Sequence, residues 1–295
     1  MTNTLPACGL CALALLAAVP CLADSAGASA AAEPVTNAPG NTLTAHLVRT
    51  GLYLFSGSGN SLLRLSANGL IVVDGQAPGN YDALLKRFHK ISDQPVRVLI
   101  DTNHRLEHTG SNGRFLADGT QILAHANVGR NLAKLGPVDA AIGAPTKTYD
   151  DHMNLKLGGI EVHVMHFGNA CTDGDSVVYF PDLKVVAVGD LYAAAPIPDY
   201  ASGGSLVGWA SVLDQILKLD FDVVVPGSGA TVSKADLAAF KTKIDALVVR
   251  ATRLVSDGVP EARLMAGLET DDFGWRLNFT GAQLDGFYDE IARKR

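Results

Sequence analysis

The sequence predicts an α/β chain, built as one large domain. Three observations point there. The chain has 295 residues, 47% hydrophobic and 18% charged, enough for a large core. Short apolar runs such as Val96–Ile100, residues 70–73 and residues 185–188 read as buried strands. Between such runs lie stretches with helical spacing, clearest in residues 205–219, where Leu206, Trp209, Val212, Leu213, Ile216, Leu217 and Leu219 share a face.

The N-terminus reads differently. Residues 10–19 form a short apolar block, followed by Cys21-Leu22-Ala23 with small residues at cleavage-like positions. That is the pattern of a secretory signal peptide. No Lys or Arg precedes Arg49, so only the amino terminus supplies its positive charge. Residues 24–41, rich in Ala, Pro, Ser and Gly, read as a flexible leader. The expected division is a signal peptide over 1–23, a leader over 24–41 and one domain over 42–295, destined for the periplasm or secretion. Of the 4 cysteines, Cys8, Cys11 and Cys21 fall in the signal segment. Cys171 is then alone in the mature chain, and its thiol is either inert by burial or functional.

The domain is expected to open with strands over 46–55 and 61–65, joined by Gly57-Ser58-Gly59-Asn60. The run at 70–73 ends in Asp74-Gly75, and residues 81–91 follow with helical spacing. Val96–Ile100 leads into the most informative stretch, residues 101–115, which read Asp-Thr-Asn-His-Arg-Leu-Glu-His-Thr-Gly-Ser-Asn-Gly-Arg-Phe. This places residues 103–108 on a strand-to-helix loop, the end of a strand where α/β sheets bind ligands. A helix or turn and a strand near 121–124, ending at His125, come next. Residues 138–148 are expected as a loop, His152 in a polar turn, and 155–167 as a hairpin turning at Gly158-Gly159. His125, His163 and His166 are expected to serve structure or surface. Further on come a Gly-Asn-Ala-Cys-Thr-Asp-Gly-Asp loop over 168–175 and strands over 176–180, 185–188 and 223–225. Helices are expected over 236–255 and 287–295.

The stretch over 101–115 resembles the metal-binding loop of the metallo-β-lactamase-fold hydrolases, His-x-His-x-Asp-His-Thr-Gly-Gly-Asn. Lined up on Thr109-Gly110-Ser111-Asn112, the ligand slots hold Asn103, Arg105, Glu107 and His108. Gly168-Asn169-Ala170-Cys171-Thr172-Asp173-Gly174-Asp175 resembles Gly-x-x-His-Thr-x-Gly-Asp, with Cys171 in the histidine slot. Gly189-Asp190-Leu191-Tyr192 matches Gly-Asp-x-Phe, and Pro226-Gly227-Ser228-Gly229 stands for Pro-Gly-His-Gly. The motifs run in the family's order from about residue 46 to 255. The resemblance implies a four-layer αββα metallo-β-lactamase sandwich, with Asp74 either bracing the metal loop from beneath or serving as a turn residue.

What the slots could hold follows from their chemistry. The first zinc site of the family would be Asn103, Arg105 and Cys171. Arginine stays protonated and cannot ligate a cation. The guanidinium is therefore expected to replace the first ion, pairing with Asp190 or a Cys171 thiolate, or holding a substrate carboxylate. The second site keeps Glu107, His108 and Asp190, with Ser228 in the last slot. One Zn²⁺ is expected, on Glu107, His108, Asp190 and Cys171, because imidazole and thiolate suit it. The implied activity is hydrolysis of a carbonyl substrate, a β-lactam or another amide, ester or lactone. Asp190 or Glu107 would orient water or take its proton, and Arg105 and Asn103 would stabilise the oxyanion. Arginine in the second slot is similar to a variant subgroup of metallo-β-lactamases with a single-metal resting state. Two alternatives stay open: a non-catalytic binding protein on this frame, and a Cys171 nucleophile activated by His108. A net charge of −6 argues against nucleic acid as a partner, and no 18-residue apolar run follows the N-terminus. The expected partner is a small-molecule substrate.

Overall fold

In the computed structural model, which describes residues 35–36, 42–135 and 142–294, two sheets stack face to face with helices outside them. The expected signal peptide and all of the expected leader except residues 35–36 lie outside the described residues, as does part of the expected 138–148 loop. The first sheet carries β1 (Val35–Thr36), β2 (Thr42–Arg49), β3 (Leu52–Ser56), β4 (Asn60–Ser66), β5 (Gly69–Val73), β6 (Val96–Ile100), β7 (Gln121–His125) and β8 (Lys147–Tyr149), side by side in chain order. From β5 onward the pairs are parallel. The second sheet orders β14 (Val232–Ser233), β13 (Val223–Pro226), β12 (Val185–Gly189), β11 (Val177–Phe180), β10 (Ile160–Met165) and β9 (His152–Leu157). Of its pairs, β12 and β13 run parallel.

Burial follows from strand position. β5 and β12 are buried at every residue and read as unbroken apolar runs, as strands covered on both faces must. β9 lies at a sheet edge and alternates exposed and half-buried residues. Leu54, Leu62, Ile71, Val98 and Leu123 of the first sheet meet Val162, Val164, Val178, Phe180 and Val225 of the second in one cluster between the sheets. α1 (Tyr81–Phe88) covers the outer face of the first sheet through Tyr81, Leu84 and Phe88. α2 (Leu106–Thr109), α3 (Asn112–Ala117) and α4 (Ala126–Leu132) follow the parallel strands. The outer face of the second sheet is covered by α5 (Leu206–Leu217), α6 (Lys234–Ser256), α7 (Glu261–Leu268) and α8 (Ala282–Arg293). Trp209, Leu213, Phe240, Leu247 and Phe287 pack there with Val186 and Val224. The four expected layers are present.

Some elements differ from the sequence reading. The strand expected over 46–55 is two strands, because Gly51 adopts φ +73° and turns the chain between β2 and β3. His152 opens β9 instead of sitting in a turn, and residues 147–149 form β8. The last helix begins at Ala282, not 287, and α7 had no expectation at all. Among the described residues no helix is long and apolar enough to cross a membrane.

Candidate active site

The ends of β5, β6 and β12 each deliver part of one cluster, and Gly227, just past β13, lies against it. β5 ends at Asp74, a non-glycine residue held at φ +61°, and its carboxylate is buried. Asp74 Oδ1 accepts from Thr102 N at 2.8 Å, and Oδ2 accepts from Thr102 Oγ1 at 2.8 Å. The same Oδ2 lies 2.9 Å from Nδ1 of His108. Asp74 is therefore the brace beneath the loop, and the turn-only alternative falls. Asn112 Nδ2 donates to Asp101 Oδ2 at 2.8 Å, tying the start of α3 back to the end of β6.

β6 then feeds residues 101–105 into α2. His108 has 0% exposure on this short helix, with Nε2 3.2 Å from Asp190 Oδ2. Asn103 Nδ2 donates to the same oxygen at 3.0 Å, and Arg105 Nη1 stands 3.4 Å from it. Asn103 Oδ1 also accepts from Arg105 N at 2.9 Å, which fixes the loop that presents both side chains. Asp190 Oδ2 thus collects an amide, a guanidinium and an imidazole. The thiol of Cys171 adjoins it at 4.0 Å and sits equally far from Ile197 O.

Electrostatics follow from this crowding. Burial alone would raise the Asp190 pKa, but His108, Arg105 and the Asn103 amide outweigh it and hold the carboxyl below its ordinary range. Burial alone would favour neutral His108. Asp74 and Asp190, one on each ring nitrogen, overcome that and push its pKa well up. Burial, with Asp175 and Asp190 nearby, drives the Cys171 thiol well above its usual range. The thiolate expected to pair with Arg105 is therefore disfavoured, and the partner of Arg105 is Asp190. Both nitrogens of His108 face carboxylates, so no Cys171–His108 pair forms.

Glu107, His108 and Asp190 offer ligand atoms that all lie within 4.8 Å of one another, a group that could hold a metal ion. One imidazole and two carboxylates suit a divalent cation. The three slots of the family's first zinc site do not fit an ion, because the Arg105 guanidinium stands among them. Cys171 borders Asp190 outside the convergent group of three. Ser228 is exposed and lines an adjacent cavity.

Two parts of the site escaped the sequence reading. His104, between Asn103 and Arg105, is buried, with Nε2 3.3 Å from Ser202 Oγ and 3.8 Å from Asp199 Oδ2. Burial lowers its pKa, with Asp199 opposing. Asn60 holds the Pro226–Gly229 loop: Nδ2 donates to Pro226 O at 2.8 Å and to Gly229 O at 2.9 Å. Only its place in a Gly-rich turn marked Asn60, and no spacing rule links it to a loop more than 160 residues away.

No known family profile matches the chain. The metallo-β-lactamase from Pontibacter korlensis superposes with a TM-score of 0.58 at 18% identity, over 72% of this chain and 98% of that one. This chain has the metallo-β-lactamase fold. In sequence it is 26% identical over 222 residues to the 2,4-dinitroanisole O-demethylase subunit alpha of Nocardioides sp., covering 74% of this chain and 64% of that protein. It is 26% identical over 191 residues to the metallo-β-lactamase type 2 of Bacillus cereus, covering 62% of this chain and 72% of that one. The chain thus spans less than two thirds of the demethylase subunit's length. The relatives of this metallo-β-lactamase-fold chain include hydrolases, and the four slot motifs all sit at the rim where its parallel strands end.

Proposed function

We propose that the chain is an exported, metal-dependent hydrolase of small carbonyl substrates, a β-lactam or another amide, ester or lactone. The observation that supports it is the convergence of Glu107, His108 and Asp190 ligand atoms within 4.8 Å. In this reading they hold one divalent cation, with zinc the first choice for an imidazole ligand. Cys171, 4.0 Å from Asp190 Oδ2, stands by as a further ligand, whereas Ser228 in the last slot faces the adjacent cavity. A cation there supplies Lewis acidity, polarising a carbonyl and lowering the pKa of water toward about 7.

The chain's own residues do the rest. Asp74 holds His108 through Nδ1 and leaves Nε2 for the site. Glu107 or Asp190 takes the proton from the attacking water. Arg105, with a side chain 33% exposed, sets a fixed positive charge beside Asp190. It and the Asn103 amide stabilise the oxyanion or anchor a substrate carboxylate. Export to the periplasm or beyond rests on the apolar block over residues 10–19.

A second reading, a metal-free binding protein, draws on a different observation. Asn103, Arg105 and His108 already satisfy Asp190 without an ion. Elemental analysis of the purified protein separates the two. The hydrolase reading expects one metal equivalent, lost in Glu107→Ala. Weaker binding in Cys171→Ala adds the thiol to the ligands, and unchanged binding leaves it out. A native chain that binds no metal ends the enzyme proposal.

A further inference from the structure

Gly227 stands between the carboxylate cluster and a cavity. A side chain there would put Cβ 2.8 Å from Asp190 Oδ1 and 2.8 Å from His108 Cε1, so this residue lies directly against the carboxylate cluster. Its neighbours Pro226 and Ser228 line a separate cavity of about 580 Å³, joined by Tyr192, two residues beyond Asp190. That volume falls within the range of about 300–1,000 Å³ usual for small-ligand sites.

The walls of this cavity are aromatic. Tyr192 lies 5.0 Å from Phe240, Phe240 lies 5.5 Å from Trp275, and Phe273 lies 5.4 Å from Trp275, centroid to centroid. Tilted and edge-on rings of this kind accept a further flat ring by the same quadrupole geometry. One cation stands among them. Lys243 Nζ sits 5.9 Å from the Trp275 ring and donates to Phe273 O at 2.9 Å. An ammonium carries three N–H donors, so two remain for a ligand. Asp236 lines the same cavity, but its Oδ2 is engaged, accepting from Ser233 N at 2.8 Å and Ser233 Oγ at 2.6 Å at the start of α6. Among the described residues Lys243 forms no salt bridge.

We propose that this cavity receives an aromatic ring bearing an anionic substituent, the non-reacting end of the substrate whose bond is cut beside Asp190. The inference rests on the hydrolase reading for its link to a reaction. The rings take the flat apolar body, and Lys243 takes the charge. Among the described residues lining the cavity Lys243 is the one cation, so a neutral aliphatic group would leave it unused.

The test is binding, measured on chelator-treated protein by equilibrium dialysis and calorimetry. The probes are 4-nitrobenzoate, neutral 4-nitrobenzyl alcohol and non-aromatic cyclohexanecarboxylate. The native chain should bind 4-nitrobenzoate best. Lys243→Met should weaken the acid by about tenfold or more, the size of one charge-assisted contact, and leave the alcohol unchanged. Lys243→Arg should keep the acid. Phe240→Leu should weaken both aromatic probes. Circular dichroism confirms folding of each variant, and Lys243→Arg stands as the control for loss of the Phe273 contact. Equal binding of 4-nitrobenzoate by native and Lys243→Met protein overturns the assignment. So does loss of that binding in Arg105→Gln alone, which would put the acid at the carboxylate cluster. A chain that binds no metal ends the hydrolase reading and leaves these binding results standing. A chain that binds metal but fails the Lys243 comparison ends only the cavity assignment.

Discussion

Asp74 Oδ2 lies 2.9 Å from His108 Nδ1, and this contact leaves Nε2 as the ring nitrogen that faces Asp190. The brace also holds Thr102 through its N–H and hydroxyl. Asp74→Ala removes all three partners and places alanine at φ +61°, a conformation asparagine tolerates far better. Breaking a buried ion pair from one side costs about 3–5 kcal/mol. Urea unfolding should show that loss for Asp74→Ala and a smaller one for Asp74→Asn. In the metal-binding reading, the affinity of Asp74→Asn should fall about 10–100-fold, the usual effect of losing the group behind a histidine ligand.

Gly227→Ala tests the close approach of β13 to the cluster. Its Cβ would meet Asp190 and His108 at 2.8 Å, below any ordinary contact. The expected cost is about 1–3 kcal/mol of stability, as for other overpacked sites. Metal content should drop with it. Gly229→Ala is the comparison, since Cβ there meets nothing within 4 Å; its φ of +85° adds strain of its own but leaves the cluster alone. Metal binding retained in Gly227→Ala would count against the packing argument.

Glu290, on α8, closes the start of α5. Its carboxylate accepts from Tyr200 OH at 2.9 Å, Leu206 N at 3.0 Å, Val207 N at 3.3 Å and the Ser205 hydroxyl. A carboxylate at a helix N-terminus satisfies open N–H groups and favours the dipole. Glu290→Ala should lower stability by about 2–3 kcal/mol, the scale of hydrogen bonds to a charged group. Hydrogen exchange should speed up at Leu206 and Val207 first.

His125 and Asp175 set opposite pH dependences. Burial, then neighbouring His166, lowers the His125 pKa to about 4. Its rings stack on His166 with centroids 4.0 Å apart. The unfolded chain takes up this proton first, so the contribution is present above about pH 6.5 and lost as pH falls toward 4. Burial raises the Asp175 pKa to about 7. The folded chain keeps that proton longer, so its contribution is present below about pH 4 and lost as pH rises through 7. The native curve therefore hides both. His125→Asn keeps an acceptor for Asn127 N and leaves the Asp175 contribution unopposed, so its stability should rise relative to that of the native chain as pH falls from 6.5 to 4.5. Parallel unfolding curves for the two proteins across that range would count against a neutral buried His125.

Much of the fold was legible because its signals are local. Apolar runs marked β5, β6 and β12, and helical spacing marked α1, α5 and α6. Where a single residue decides, the reading slipped: Gly51 looked like an ordinary position within an alternating strand until its φ of +73° split it. α7 and the first part of α8 lack a long apolar stripe, so periodicity passed over them. The slots of the site were legible through their order along the chain. Their partners were not. That Asn103, Arg105 and His108 share one oxygen of Asp190, or that Glu290 reaches Ser205, depends on pairings 82–90 residues apart or close to it.

The parallel pairs that flank the site, β5 with β6 and β12 with β13, end at Val73 with Ile100 and Gly189 with Pro226. Every altered slot lies beyond one of them or in a loop facing them. The scaffold and its cargo are thus mechanically separate: histidines can be exchanged for an amide, a guanidinium or a hydroxyl while each hydrogen-bonded ladder stays whole. Such a rim can change trade without rebuilding the house.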